Sequence, residues 1–188
     1  MRWILVILLA YAALLLQISL VGLMTIDTES VGAIRPDLLA VVAVFLALNG
    51  RGLTDVMIAG WILGLGVDLT VTGGTGTTTV VGPMPIAYSL AAGLIFQIRE
   101  AFFREWFLTK LILTLLFCLL SHGIWITWQS LAASEVMNWS AYGDLIVQML
   151  LLSLYSALVA PLVQLLLGPL RKVIVPAGPG RSSRHQRA

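Results

Sequence analysis

Residues 35–71 read RPDLLAVVAVFLALNGRGLTDVMIAGWILGLGVDLTV. Two apolar runs, Leu38–Leu48 and Met57–Val71, flank the turn Asn49-Gly50-Arg51-Gly52. Glycine and asparagine supply the loop conformations that stop a helix. The pattern predicts a tight helical hairpin whose arms extend a few residues past those limits. The first arm is short for a bilayer, whose core of about 30 Å takes about 20 helical residues. A re-entrant first arm is therefore the alternative. Gly60, Gly64 and Asp68 follow one another at four-residue intervals and share one helical face. Glycines at this spacing let a second helix approach closely. Asp68 is the one acid that falls deep in a predicted span. A carboxylate at the bilayer centre costs about 2.5–3.5 kcal/mol on insertion scales, so it faces protein or water. Two readings stand beside each other. Asp68 holds a partner span, an ion or a proton; or it sits at the helix end and accepts from backbone N–H groups of the next loop.

The rest of the chain fits this hairpin. Of 188 residues, 59% are hydrophobic and 11% charged, with a mean hydropathy of +0.98. A soluble domain has about 25% charged residues, and this chain has too few to cover its surface. The composition excludes a disordered chain, a coiled coil, a disulfide scaffold and almost any soluble enzyme. It points to an integral membrane protein. The net charge of +2 gives no sign of nucleic-acid binding. The single cysteine, Cys118, forms no intramolecular disulfide and reads as a small packing residue.

Four more apolar segments accompany the two arms. Ile4–Met24 carries no charge and reads as a retained first span, too long for a signal-peptide core. Pro85–Ile98 starts after two prolines that suit a helix start. A fifth span lies within Phe107–Ser130. The sixth lies within Asp144–Leu170, where Pro161 is expected to kink it. Between them, Thr25–Asp37 and Leu131–Gly143 read as polar stretches and Thr72–Gly82 as a Gly/Thr-rich loop. The fold class expected is an all-α integral membrane protein with six transmembrane helices and both termini inside. Residues 1–175 form the membrane domain, and residues 176–188 form a basic, disordered cytoplasmic tail.

Charge sets the orientation. With six spans, Arg2, Arg51, Arg99, Arg104, Lys110, Arg171, Lys172, Arg181, Arg184 and Arg187 fall inside, and Arg35 alone falls outside. Aromatics agree: Trp125, Trp128, Trp139 and Tyr142 gather near the outer boundary, and Trp3, Phe102, Phe103 and Trp106 near the inner one. Arg99–Lys110 reads either as a short surface helix or as a solvated loop.

Few residues offer chemistry. Thr114, Cys118, His122, Trp125 and Gln129 form one helical stripe in the fifth span. It reads as a packed helix–helix contact or, more sharply, as the lining of a ligand pocket. Gln148, Ser156, Ala160 and Gln164 form a matching polar and small face in the sixth span, with Ser153 close by. The loop GGTGTTT, residues 73–79, lacks the lysine of a phosphate loop. Asn138-Trp139-Ser140 fits the glycosylation triplet, a weak match. The second histidine, His185, lies in the tail, which argues against a metal site. No catalytic set and no cofactor motif stand out.

The opening Arg35-Pro36-Asp37-Leu38-Leu39, the Gly/Arg turn and the closing Gly60-x-x-x-Gly64-x-x-x-Asp68 resemble the rod-shape-determining MreD family of bacterial inner membranes. The likeness continues loosely through Pro85–Arg99, and it covers about 65 residues. The longer Thr-rich third loop and the basic tail depart from the family pattern. The resemblance implies a non-enzymatic scaffold of the cell-wall elongation machinery. Its partners would be membrane lipids, an MreC-like bitopic protein and, indirectly, the actin-like MreB and peptidoglycan synthases. It also implies helices similar to the six-helix substrate-binding subunits of energy-coupling-factor transporters. Arg35, Pro36 and Asp37 match the opening motif, and Gly60, Gly64 and Asp68 the hairpin. Pro36 suits a helix start, Asp37 suits the positive end of a helix dipole, and Arg35 is expected either to pair with Asp68 or to stay solvated. The alternative function is a vitamin-type binding subunit of a transporter, with the His122 stripe lining its pocket.

Overall fold

The structure is a computed structural model of the chain, and it describes residues 2–28, 32–70, 82–100, 107–132 and 139–170. Six helices form the bundle: α1 (Trp3–Met24), α2 (Leu38–Asn49), α3 (Leu53–Thr70), α4 (Pro83–Ile98), α5 (Phe107–Ala132) and α6 (Trp139–Leu167). A 3-10 turn, Gly168–Leu170, follows α6. Between α1 and α2 lies a small antiparallel hairpin, β1 (Ile26–Thr28) and β2 (Gly32–Ile34), with Ile26 opposite Ile34. The hairpin forms within the polar stretch expected at Thr25–Asp37.

The six helices form at the six apolar segments, with α2 and α4 the shortest. Three described stretches are long and apolar enough to cross a membrane: Leu53–Thr70, Phe107–Trp128 and Tyr142–Leu170. The apolar helices α2 and α4 are shorter, and α1 runs the 22 residues Trp3–Met24. The fifth and sixth helices also consume most of the loop expected at Leu131–Gly143, because α5 continues to Ala132 and α6 starts at Trp139. Pro161 lies inside α6.

The first arm of the opening stretch does not lengthen into a full span. Helix α2 has only 12 residues, about 18 Å at about 1.5 Å per residue. It occupies the centre of the bundle and touches α1, α3, α4, α5 and α6. Every residue from Leu38 to Leu48 is buried. That explains its unbroken apolar run: a helix apolar on all sides belongs in a core. Phe45, Leu46, Val42 and Val44 sit among Val6 and Ala13 of α1, Ala59 and Leu63 of α3, Tyr88 and Ile95 of α4 and Leu113 and Phe117 of α5.

Helices α3 and α4 pack antiparallel and closest of all. A Cβ on Gly60 would lie 2.8 Å from the Tyr88 carbonyl oxygen, and one on Gly64 would lie 2.6 Å from that of Met84. The small-residue face predicted from spacing is this contact. It works by letting one backbone touch another, which maximises dispersion where lipid provides no hydrophobic drive between helices.

Among the readings that fall outside the described residues are the 73–79 loop, residues 101–106 of the inner loop, Asn138 of the triplet and the tail.

Candidate functional site: the capped central helix

A short helix that ends inside a bundle leaves orphan amide and carbonyl groups at both ends. Here each end is met by a buried side chain of matching charge. Asp37 is the N-cap of α2. Its Oδ1 accepts a hydrogen bond from the Ala40 amide at 3.0 Å, and its Oδ2 accepts one from the Tyr88 hydroxyl of α4. The Asp37 amide donates to Ser156 Oγ of α6 at 2.8 Å, and that hydroxyl donates onward to the Leu152 carbonyl at 2.8 Å. Ser156 also meets the thiol of Cys118 on α5. One residue along, the Leu39 amide donates to Gln17 Oε1 of α1 at 3.1 Å. The Tyr88 ring meets Phe117 edge-on with centroids 5.0 Å apart. One aspartate therefore ties three helices, α2, α4 and α6, together, and it is only 5% exposed.

At the other end, Arg99 follows α4 and turns back onto α2. Its Nη1 donates to the carbonyls of Ala47 (2.9 Å), Leu48 (3.3 Å) and Gly50 (2.6 Å). The guanidinium lies 3.8 Å from the Phe96 ring centroid and is buried. An acid at the amide end and a base at the carbonyl end both favour the helix dipole. In the sequence Arg99 stands out only as one of the inner positive charges. No local pattern marks its reach to residues about 50 positions earlier.

The other expected residues fall as follows. Pro36 is buried beside Asp37, and Arg35 is exposed. Asp68 accepts from the Gly82 amide at 2.7 Å and from that of Met84, so it closes the chain leading into α4. The pair expected between Arg35 and Asp68 is therefore absent among the described residues. The physical reason is local: amides at the start of α4 already occupy the carboxylate. Asp68 stands at a helix end and is half-buried, whereas Asp37, expected at a helix start, is the carboxylate in the core.

In the α5 stripe, Thr114 and Cys118 are fully buried. Thr114 donates to its own helix at Lys110, and His122 Nδ1 lies 2.9 Å from the Cys118 carbonyl. The side chain of Gln129 is outside the described residues. An apolar cavity of about 380 Å³ lies on α5, bounded by Leu119, Leu120, Gly123, Ile124, Thr127, Trp128 and Leu131. Thr114, Cys118 and His122 do not line it. Among the described residues no cluster of His, Cys, Asp and Glu has metal-binding geometry.

No protein-family profile, curated protein or solved structure matches this chain.

Proposed function

We propose that the chain is a six-span, MreD-like scaffold of a bacterial inner membrane, with both termini in the cytosol. It works by holding other proteins in place. The carrying observation is where the motif residues go. Asp37, Gly60, Gly64 and Asp68, which carry the family resemblance, are all spent on bonding one helix to another. The helices in turn expose apolar side chains such as Ile4, Leu8, Leu15, Leu158 and Leu165. Such surfaces suit lipid and the spans of neighbouring proteins. An MreC-like bitopic protein is the partner this reading assigns, with MreB and peptidoglycan synthases beyond it. The basic loops then meet anionic lipid on the cytosolic side.

Depletion of the protein followed by microscopy tests the proposal. Rod-shaped cells are expected to widen and round up. Unchanged rods together with lost uptake of a vitamin would overturn the scaffold in favour of a transporter subunit.

A further inference from the structure

Helix α4 and the residue after it clamp α2 at both ends. Tyr88 meets Asp37 at the start of α2, and Arg99 meets the carbonyls of Ala47, Leu48 and Gly50 at its finish. The two helices therefore run parallel, and α3 returns between them in the chain. Asp68 closes the passage from α3 into α4, and Gly60 and Gly64 bring those two backbones together. This part of the chain is closed largely on itself.

We infer that the bundle has a fixed part, α2–α4, and a movable one, the α5–α6 pair, which parts from α2 at the Asp37–Ser156 bond. The motion requires no partner protein and is independent of the scaffold reading.

The α5–α6 pair is closed on itself in the same way. Cys118 of α5 meets Ser156 of α6. Thr114 donates to the Lys110 carbonyl at 2.8 Å, Ser121 to the Cys118 carbonyl at 3.2 Å and Ser156 to the Leu152 carbonyl at 2.8 Å, each within its own helix. These hydroxyls keep their acceptors when the two parts separate. Across the joint run the bond from the Asp37 amide to Ser156 Oγ, the edge contact of Tyr88 with Phe117, and dispersion around Leu113 and Phe117. In a membrane no hydrophobic drive adds to that dispersion, because lipid is as apolar as the side chains it replaces.

Two buried atoms oppose closure. Ser153 Oγ and Gln164 Nε2 have no hydrogen-bond partner, in residues only 0% and 4% exposed. Helical spacing puts both on the face of α6 that carries Ser156 and Ala160. A buried polar atom left unbonded costs free energy and is rare in a settled contact. Parting gives both side chains room to turn. A helical serine can donate to the carbonyl one turn back, as Ser156 does, and Gln164 stands three residues from the end of α6 at Leu167, within reach of the membrane surface.

Double electron–electron resonance on the full chain in lipid nanodiscs tests the joint. Cys118→Ser removes the sole thiol and keeps a small polar group beside Ser156. Nitroxide labels then go on exposed leucines. The pair Leu94→Cys and Leu158→Cys spans the joint from α4 to α6, and the pair Leu69→Cys and Leu94→Cys stays within the fixed part. The joint pair is expected to show two distances and the fixed pair one. A single distance for the joint pair would overturn the movable part. Two distances for both pairs would overturn it as well, because the motion would lie elsewhere. A second variant, Ser153→Ala with Gln164→Leu, removes the two unbonded atoms. Its share of the longer distance is expected to fall at least about threefold. An unchanged or larger share would overturn the joint as the place where closure is opposed.

Discussion

Asp37 shows how much depends on one side chain. It caps α2, receives the Tyr88 hydroxyl and is anchored through its amide to Ser156. Asp37→Ala removes the cap, worth about 0.5–2 kcal/mol. It also strands a buried tyrosine hydroxyl, a further cost of about 1–3 kcal/mol. Thermal unfolding in detergent is expected to show D37A as severely destabilised and Tyr88→Phe as milder. The double variant should be less damaging than the sum, with a coupling of about 0.5 kcal/mol or more. Strict additivity would show that the two groups do not interact. Glycines make a second residue-scale prediction. Gly64→Ala places a methyl 2.6 Å from a backbone oxygen, and backbone cannot step aside cheaply. A loss of about 1–3 kcal/mol is expected from overpacking. Gly123→Ala meets nothing within 4 Å and is expected to be neutral or to gain up to about 1 kcal/mol of helix propensity. The same melting experiment reads both.

At the scale of elements, α2 is the unusual one. Its residues gain little by leaving lipid for protein, since both are apolar. Its placement therefore depends on close packing and on caps at both ends. Arg99 holds three carbonyls at the α2 terminus. Arg99→Ala is expected to fray residues 46–50, seen as faster hydrogen exchange there with α3 little changed. Arg99→Lys is expected to restore only part of the protection, because lysine lacks the planar guanidinium that stacks on the Phe96 ring while Nη1 meets the carbonyls. Full protection in R99A would show that the cap is idle. Asp68 does comparable work between α3 and α4. Asp68→Ala is expected to cost about 1 kcal/mol by freeing the Gly82 amide, measured as a lower melting temperature. Much of this element scale was legible in the chain. The four-residue spacing of Gly60 and Gly64 named the α3 contact face, and the apolar run at Leu38–Leu48 named α2. Pro36-Asp37 and Asn49-Gly50 also marked both of its ends, but spacing did not reveal that so short a helix would be surrounded by five others.

At the scale of the whole molecule, the proposed topology makes its own prediction. Reporter fusions after Glu100 and Leu170 should report the cytosol, and a fusion after Thr28 the periplasm. The reverse pattern would overturn the inside count of Lys and Arg. The membrane character, the six helical segments and their boundaries within a few residues were determined by the sequence alone. That is because hydropathy and turn residues act locally, along a few turns of chain. Tertiary structure decided the rest: that Asp37 is the core carboxylate and Asp68 the edge one, that Arg99 caps a helix two elements away, and that α2 is the axis of the bundle. These depend on which helix faces meet. A hydrogen bond between residues 119 positions apart, such as Asp37 to Ser156, leaves no local pattern to read.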